Sequence, residues 1–214
     1  MVAKPIFNKP HGLYTLSFAL TIKGENEGSE IRYTTDGSEP TASSLLYKGS
    51  FIISKTHVIR AAEFINGEMI SDVTSASYIF PNMVVSQTNT PEGYPAEWGN
   101  YCSISGTAPA DYEMDPDLIF GYKLRNTVVN GLYALPVLSI TTDRGNLFNK
   151  EKDEKTGGIY IYTGCPVGDG TGRGWERPAS VELFGGAQEY DLSVDCALKL
   201  HGGHSRLPEK NPKS

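Results

Sequence analysis

The first 80 residues are a series of short strand-like segments separated by turn signals, and this pattern restricts the fold more than any other feature. Residues 16–22 alternate apolar and polar side chains, as a half-buried strand does. The dipeptides Asp36-Gly37 and Asn66-Gly67 signal tight turns, because glycine tolerates the positive φ that such turns require. Further strand-like segments cover residues 31–35, 51–54, 57–64 and 73–80. Short strands at this spacing predict an antiparallel β-sandwich.

The composition agrees with a folded, β-rich chain. The 214 residues include 23 glycines, 13 prolines and 12 tyrosines, which favour strands and turns over helices. The length accommodates two modest domains. The net charge of −6 argues against a nucleic-acid-binding protein, which would normally present a basic face. No apolar run approaches the roughly 18–20 residues of a membrane span, so no membrane-spanning segment is expected.

The three cysteines are Cys102, Cys165 and Cys196, which lie far apart in the chain. They lack the C-x-x-C spacing of a zinc cage, so no structural metal is expected from them. Buried free thiols are the simpler interpretation, and one internal disulfide remains open.

A string of residues in the first segment is specific to one family. IRYTTDGSEPT occupies positions 31–41, LYKG follows at 46–49 and IRAAEF at 59–64. Over about residues 5–80 the chain resembles the chitobiase/β-hexosaminidase C-terminal type repeat. The resemblance implies an immunoglobulin-like or fibronectin-type sandwich attached to a secreted bacterial enzyme. It also implies an accessory module without catalytic groups.

Aromatic residues offer a candidate site within this segment. Tyr33, Tyr47 and Phe64 would form a sugar-stacking platform if they shared an exposed face, although each sits in an apolar strand pattern typical of core residues. Asp36 is a carboxylate of interest by type, but an aspartate before glycine is first a turn former.

Residues 81–134 read as an ordered connector. We expect an extended segment pinned by Tyr94 and Trp98, because the region is too aromatic for a flexible linker. Asp115-Pro116 predicts a helix start, with Asp as N-cap and Pro at the first helical position, and a helix over 116–130. A calcium site is the alternative for the acidic residues of this region, but they lack the glycine placement of a known calcium loop; they are Asp111, Glu113, Asp115 and Asp117.

Residues 135–214 read as a second β-rich region. Strands are expected at 136–142, 158–162, 179–184 and 190–200, with a turn or short helical turn at 143–148 and a solvated charged loop at 150–155. The glycine-rich stretch 168–174 matches neither phosphate-binding motif and predicts a hairpin loop. His201 and His204 have the residue type of a zinc pair, but no third ligand lies nearby in sequence.

A second resemblance covers about residues 84–214. The strings that carry it are Q-x₃-P-x-GYP-x₂-W at 87–98, ADY-x-MDP at 110–116, LP-x-LSI-x-TD at 135–143, NLF at 146–148, GIY at 158–160, WERP-x-SVE at 175–182, LHGG-x-SR at 200–206 and PKS at 212–214. They look like the N-terminal part of the spore-coat-protein-H-like (CotH) family, which includes atypical secreted protein kinases. The resemblance implies that the strands from Pro136 onward build part of a nucleotide-binding lobe. Residues near the nucleotide phosphates would be Gly202, Gly203, Ser205, Arg206 and Lys213.

These inferences give one leading expectation of function. The chain contains no H-R-D-like or D-F-G-like string, which phosphoryl transfer by a kinase requires. We therefore expect a truncated, non-catalytic N-terminal fragment of an exported bacterial protein, without a catalytic residue, cofactor or metal of its own. ATP and Mg²⁺ would belong to the full-length parent. The expected partners are the rest of the parent polypeptide and a cell-surface glycan, and nucleic acid is not expected.

The expected fold class is mostly β: an immunoglobulin- or fibronectin-like β-sandwich at 1–80, the connector at 81–134, and a β-rich (α+β) partial domain with one or two short helices at 135–214. The two resemblances imply a secreted, cell-surface or periplasmic protein. The first residues lack the apolar core of a signal peptide, so its signal is expected to be missing from this piece, and a cytoplasmic protein is the alternative.

Two other functions compete with this expectation. A carbohydrate-binding module is motivated by the first resemblance and by the tyrosines. Glycoside hydrolysis would need two carboxylates roughly 5–10 Å apart on a catalytic scaffold. An accessory-type sandwich does not offer such a frame.

Overall fold

The structure is a computed structural model that describes residues 3–100, 105–151, 153–159, 175–186 and 190–201. It is mostly β, as the sequence predicted, with a β-sandwich followed by further β-rich structure. The strands up to residue 80 are β1 (Ile6–Phe7), β2 (Gly12–Leu13), β3 (Phe18–Leu20), β4 (Ile22–Lys23), β5 (Glu30–Thr34), β6 (Leu45–Leu46), β7 (Phe51–Ile53), β8 (His57–Ile65), β9 (Glu68–Met69) and β10 (Thr74–Ile79).

The elements that follow include short helices as well as strands. They are α1 (Pro81–Val84), β11 (Glu97–Asn100), β12 (Thr107–Pro109), α2 (Pro116–Ile119), α3 (Tyr122–Ala134), β13 (Pro136–Thr141), α4 (Arg144–Phe148), β14 (Arg177–Gly185) and β15 (Tyr190–Leu198). None of the helices in the described part of the chain is long and apolar enough to cross a membrane.

Strand β8 is the centre of the larger sandwich sheet. It pairs antiparallel with β5 on one side and with β10 on the other, while β9 returns along its end as a hairpin. β6 extends the sheet beyond β5, and β2 pairs in parallel with β10. The second layer contains the antiparallel pair β3–β7.

The hydrophobic core lies between these two layers. Leu20 from β3 and Ile53 from β7 pack with Ile59 of β8 and with Ala76 and Tyr78 of β10, and all five are buried. Ile59 and Ala76 are directly paired across β8 and β10, so their side chains point to the same face. The alternating pattern of the sequence therefore sets which face of the sheet becomes the core.

The two predicted tight turns are confirmed. Asn66 and Gly67 both have positive φ, 53° and 83°, in the loop between β8 and β9. Asp36 accepts hydrogen bonds from the Ser38 amide and hydroxyl at 3.1 and 2.6 Å, and Gly37 has φ of 80°. The Asp36 carboxylate is thus used to shape the turn.

The helix expected at 116–130 is instead two helices. Asp115 is the N-cap of α2, as predicted, and its side chain accepts a hydrogen bond from the Asp117 amide at 2.9 Å. α2 ends after one turn, since Gly121 takes a φ of 84° that a helix does not accommodate. The second helix, α3, then continues to Ala134, beyond the predicted end, just before Pro136.

The chain forms two compact units that interleave along the sequence. The first comprises residues 1–84, 126–141 and 180–194, and the second comprises 85–125, 142–179 and 195–214. The sandwich shares the first unit with β13 and with much of β14 and β15. The division expected from the sequence, at residues 80 and 134, stays a prediction.

Strands β13, β14 and β15 form a three-stranded sheet in which β14 is central. β13 and β14 are antiparallel, and Ser139 is paired with Glu182. Alternation places Ser139 on one face of β13 and the exposed side chains of Leu138 and Ile140 on the other. The Ser139 face lies against the sandwich, where its hydroxyl is 2.7 Å from that of Ser77 in β10.

The adjacent residues Ile52 and Ile53 of β7 test this arrangement. The Ile53 side chain is 1% exposed in the core and that of Ile52 is 64% exposed. Ile53→Ala should lower the free energy of unfolding by about 2–5 kcal/mol, because it removes buried methyl groups and leaves a cavity. Ile52→Ala, the matched control, should cost about 1 kcal/mol or less, reflecting strand propensity. Urea unfolding measures both, and equal losses would contradict the assignment of the core face.

Candidate functional site

The aromatic residues proposed to bind sugar are divided between the two faces of the sandwich sheet. Tyr33 lies opposite Ala61 across β5 and β8, whereas Phe64 lies opposite Glu30. Positions 61 and 64 of one strand point to opposite faces. Phe64 is 2% exposed. The structure therefore does not bring Phe64 together with Tyr33 and Tyr47.

Tyr33 and Tyr47 instead form a ring cluster with Phe51. The Tyr33 and Phe51 rings are stacked, with centroids 4.8 Å apart and an interplanar angle of 18°. Tyr47 meets both rings edge-on, each at 6.4 Å. All three rings are half-buried. Burial raises the pKa of the Tyr33 hydroxyl, and the neighbouring Tyr47 raises it further. The sequence did not single out Phe51, whose apolar strand context looks like that of any core residue.

A buried carboxylate, Glu63, organises the turn between β4 and β5. Its side chain is fully buried and accepts hydrogen bonds from the amides of Glu25 and Asn26, both at 2.9 Å, and from the Ser29 hydroxyl at 2.5 Å. A Cβ on Gly24 would lie 3.0 Å from the Glu63 carboxylate, so glycine permits this close approach. Burial acts to raise the pKa of Glu63, but these hydrogen bonds outweigh it and hold the pKa below its ordinary value.

A second buried carboxylate, Glu182 of β14, lies at the contact between the sandwich and the three-stranded sheet. Ser77 donates a hydrogen bond to its Oε2 at 2.5 Å. Its Oε1 is 2.8 Å from Nδ1 of His11, whose ring stacks on Phe184 with centroids 4.8 Å apart. The other ring nitrogen of His11, Nε2, is 3.0 Å from Oδ1 of Asp191. None of the three residues Glu63, Glu182 and His11 stood out in the sequence. For the two glutamates, the available signal was a single acidic residue within an apolar strand segment.

The second compact unit contains an open cleft of about 490 Å³ beside Tyr94 and Arg144. The Arg144 guanidinium lies 5.6 Å from the Tyr94 ring centroid and donates to the Glu92 carbonyl at 3.2 Å. The Tyr94 ring also meets those of Tyr112 and Phe148, at 5.3 and 5.9 Å. These contacts hold the connector in place around Tyr94, as expected for that residue. They also surround the Arg144 guanidinium with groups of the protein itself.

Two of the acidic residues at 111–117, Asp111 and Asp115, make local backbone contacts. Asp111 accepts from the Glu113 amide at 3.4 Å, and Asp115 caps α2. Within the described ranges, no group of three or more His, Cys, Asp or Glu side chains is placed to hold a metal ion.

The residues expected near nucleotide phosphates lie outside the described residues, and so do His204, Cys102, Cys165 and the glycine-rich stretch 168–174; the phosphate set is Gly202, Gly203, Ser205, Arg206 and Lys213. His201 is exposed. Cys196 is a free thiol that is exposed rather than buried.

Comparison with known families supports the sandwich assignment. A family model described as Fn3 associated matches residues 20–78, which run from the end of β3 into β10. No curated protein matches the chain. The match supports a fibronectin-associated, immunoglobulin-like region and an accessory type of β module. The resemblance to the CotH family over residues 84–214 stays a prediction.

Glu63→Gln tests the buried carboxylate. At pH 7 we expect a loss of about 1.5–3 kcal/mol in the free energy of unfolding. The reason is that the NH₂ group of the glutamine would face N–H and O–H donors that need an acceptor. The folded-state pKa of Glu63 is below its ordinary value of 4.5, so the stabilisation is fully present above pH 4.5 and is lost as the pH falls through the lower folded value. The difference between wild type and Glu63→Gln should therefore be constant above pH 5 and shrink below pH 4.5.

The matched control is Glu68→Gln, at an exposed position in the β8–β9 hairpin. Thermal or urea unfolding across pH 3–7 should show no comparable pH-dependent difference for this variant. A Glu63→Gln difference that grew on acidification would contradict the assigned role of the carboxylate.

Proposed function

We propose that this chain is a non-catalytic N-terminal part of an exported bacterial protein, in which a fibronectin-associated β-sandwich supports the β-rich start of a CotH-like region. The observation that carries the proposal is the sandwich at residues 20–78, which matches the family model and whose Ser77 contacts the half-buried Ser139 and the buried Glu182 of the following sheet. A module with this arrangement acts as a scaffold. It covers one face of the following sheet and supplies partners for that sheet's buried polar groups.

The chemistry of the described acidic groups supports a scaffold rather than a catalyst. Glu63 is held by three donors of the Glu25–Ser29 turn, and Asp36 shapes its own turn. Glu182 is buried with a serine and a histidine. A catalytic carboxylate must reach a substrate or a water. These carboxylates instead satisfy backbone and side-chain groups of the fold.

In the full-length parent, ATP and Mg²⁺ would belong to the kinase-like region, and Gly202, Gly203, Ser205, Arg206 and Lys213 are the proposed phosphate-contacting residues. Backbone amides of a glycine turn and the charges of Arg and Lys suit phosphate oxygens. The protein would act outside the cytoplasm, at the cell surface or in the periplasm. Its partner is the remainder of its own polypeptide.

Incubation of the full chain with labelled ATP and Mg²⁺ tests this proposal. We expect no transfer of phosphate to a protein acceptor or to the chain itself, since the sequence lacks the aspartate and metal-ligand strings that phosphoryl transfer needs. Detectable transfer would refute the non-catalytic assignment. In a parallel binding titration, ATP affinity that is lost in Lys213→Ala but kept in Lys55→Ala, an exposed lysine of the sandwich, would support the phosphate assignment.

A second candidate function is carbohydrate binding by the sandwich. The observation that favours it is the half-buried ring cluster of Tyr33, Tyr47 and Phe51. Aromatic rings combine a large apolar face with, in tyrosine, a polar group, which suits stacking against sugar rings. Tyr47 lies in the loop after β6. Of the three rings, it is the one that is most readily replaced without opening the core.

Calorimetry and a glycan array on the full chain distinguish this function from the scaffold. If the cluster binds sugar, Tyr47→Ala should weaken binding about tenfold or more, which corresponds to about 1.4 kcal/mol. Leu45→Ala, which removes an exposed apolar side chain from the neighbouring strand β6, should leave the affinity unchanged. Equal effects of both changes, or no binding to any glycan, would remove this function.

A further inference from the structure

The three-stranded sheet of β13, β14 and β15 has an exposed apolar side. Leu138 and Ile140 of β13 are paired with Leu183 and Val181 of β14, so these four side chains share one face of the sheet. The two residues of β13 are exposed and the two of β14 are half-buried. Alternation places this face opposite the one on which Ser139 contacts the sandwich.

Strand β15 extends the same apolar face. The carboxylates of Glu182 and Asp191 lie 2.8 and 3.0 Å from the ring of His11, so Asp191 points to the sandwich side of the sheet, as Glu182 does. Alternation along β15 then directs the exposed Leu192 and Val194 to the other side. We call this side the open face, and it comprises Leu138, Ile140, Val181, Leu183, Leu192 and Val194.

The polarity of the sheet is reversed with respect to its cover. A sheet with one covered side normally turns its apolar residues to the core and its polar residues to water. Here the sandwich side carries Ser139, Ser180 and Glu182, of which the last two are buried, while the apolar side chains of β13 and β15 are between 45% and 60% exposed. Single exposed apolar residues are ordinary on a protein surface, but a contiguous apolar face marks a contact with another protein surface.

The charge distribution indicates which partner suits the open face. In the first compact unit the three strands contribute residues 136–141, 180–185 and 190–194, whose charged residues are Glu182 and Asp191. Both point to the sandwich side, so the open face offers no charge that would attract a nucleic acid, a charged peptide or a charged lipid surface. Two copies of a chain with a net charge of −6 repel each other, and an uncharged face lets them meet without opposing carboxylates.

The geometry of the open face allows it to pack against itself. A two-fold axis brings the same patch of both copies together, and two sheets pack face to face about 10 Å apart with interdigitating side chains. Three strands about 4.8 Å apart, each contributing about five residues at roughly 3.3 Å, cover about 250 Å². This area is well below the roughly 800 Å² per partner of a stable interface, so the contact is weak and reversible.

We propose that the open face is a self-association surface, through which two copies of this chain form a weak symmetric dimer with their three-stranded sheets packed against each other. Each sheet supplies the apolar cover that the other lacks. The two sandwiches then lie on the outer sides of the pair, so one dimer displays two accessory modules. This dimer goes beyond the proposed function and does not depend on the CotH-like assignment.

Sedimentation velocity of the full chain between 10 µM and 1 mM tests the dimer. We expect the average sedimentation coefficient to rise with concentration, with a dissociation constant of about 10 µM to 1 mM. Raising NaCl from 50 to 500 mM should strengthen the dimer, because salt screens the repulsion between two acidic chains. A chain that stays monomeric to 1 mM at both salt concentrations overturns the proposal and leaves a different protein segment as the occupant of the open face.

A matched pair of substitutions locates the contact. Ile140→Lys places a charge on the open face and should weaken the dimer about tenfold or more, because the charge would be buried in an apolar contact. Ile52→Lys, at an exposed position of β7 in the sandwich, should leave the dissociation constant unchanged. Urea unfolding checks that both variants fold, and Leu192→Lys replaces Ile140→Lys if that variant does not. A dimer that survives the open-face change, or that both substitutions weaken equally, contradicts the assignment.

Discussion

Strand β8 is buried on both faces, and the organisation of the first compact unit depends on this constraint. One face, which carries Ile59 and Ala61, packs on the β3–β7 layer, and the other carries Ala62 and Phe64. A central strand of this kind requires cover on two sides, since exposed apolar surface costs free energy. The β3–β7 pair covers one side of the larger sheet, and β13 and β14 lie against the other at β10.

Burial on the second side explains why polar residues occupy positions that look unfavourable. Ser77, Ser139 and Glu182 meet where two sheets contact each other, and each finds its hydrogen-bond partner on a different strand. Glu63 follows the same rule at a turn, where backbone amides replace water around its carboxylate. The structure thus uses buried charges to fix the position of neighbouring segments.

Several local features could be predicted from residues alone. The Asp36-Gly37 and Asn66-Gly67 turns, the Asp115 N-cap and most strand positions follow from short-range chemistry, and all are confirmed. The single helix at 116–130 was wrong, because Gly121 takes a positive φ that the apolar stripe did not reveal. The candidate sugar platform depended on strand pairing. Strand register placed Phe64 on the face away from Tyr33, and packing of β7 from the other layer placed Phe51 beside Tyr33.

The sequence by itself determined that this chain is a β-rich protein that begins with a fibronectin-like sandwich, since period-two alternation and turn chemistry act within a few residues. Only the tertiary structure decided which charged residues are buried and what they contact. Glu182 lies 2.8 Å from His11 and 2.5 Å from Ser77, although these residues are separated by up to 171 positions in the chain. No local pattern records such a contact, because its energy comes from desolvation after distant strands have packed together.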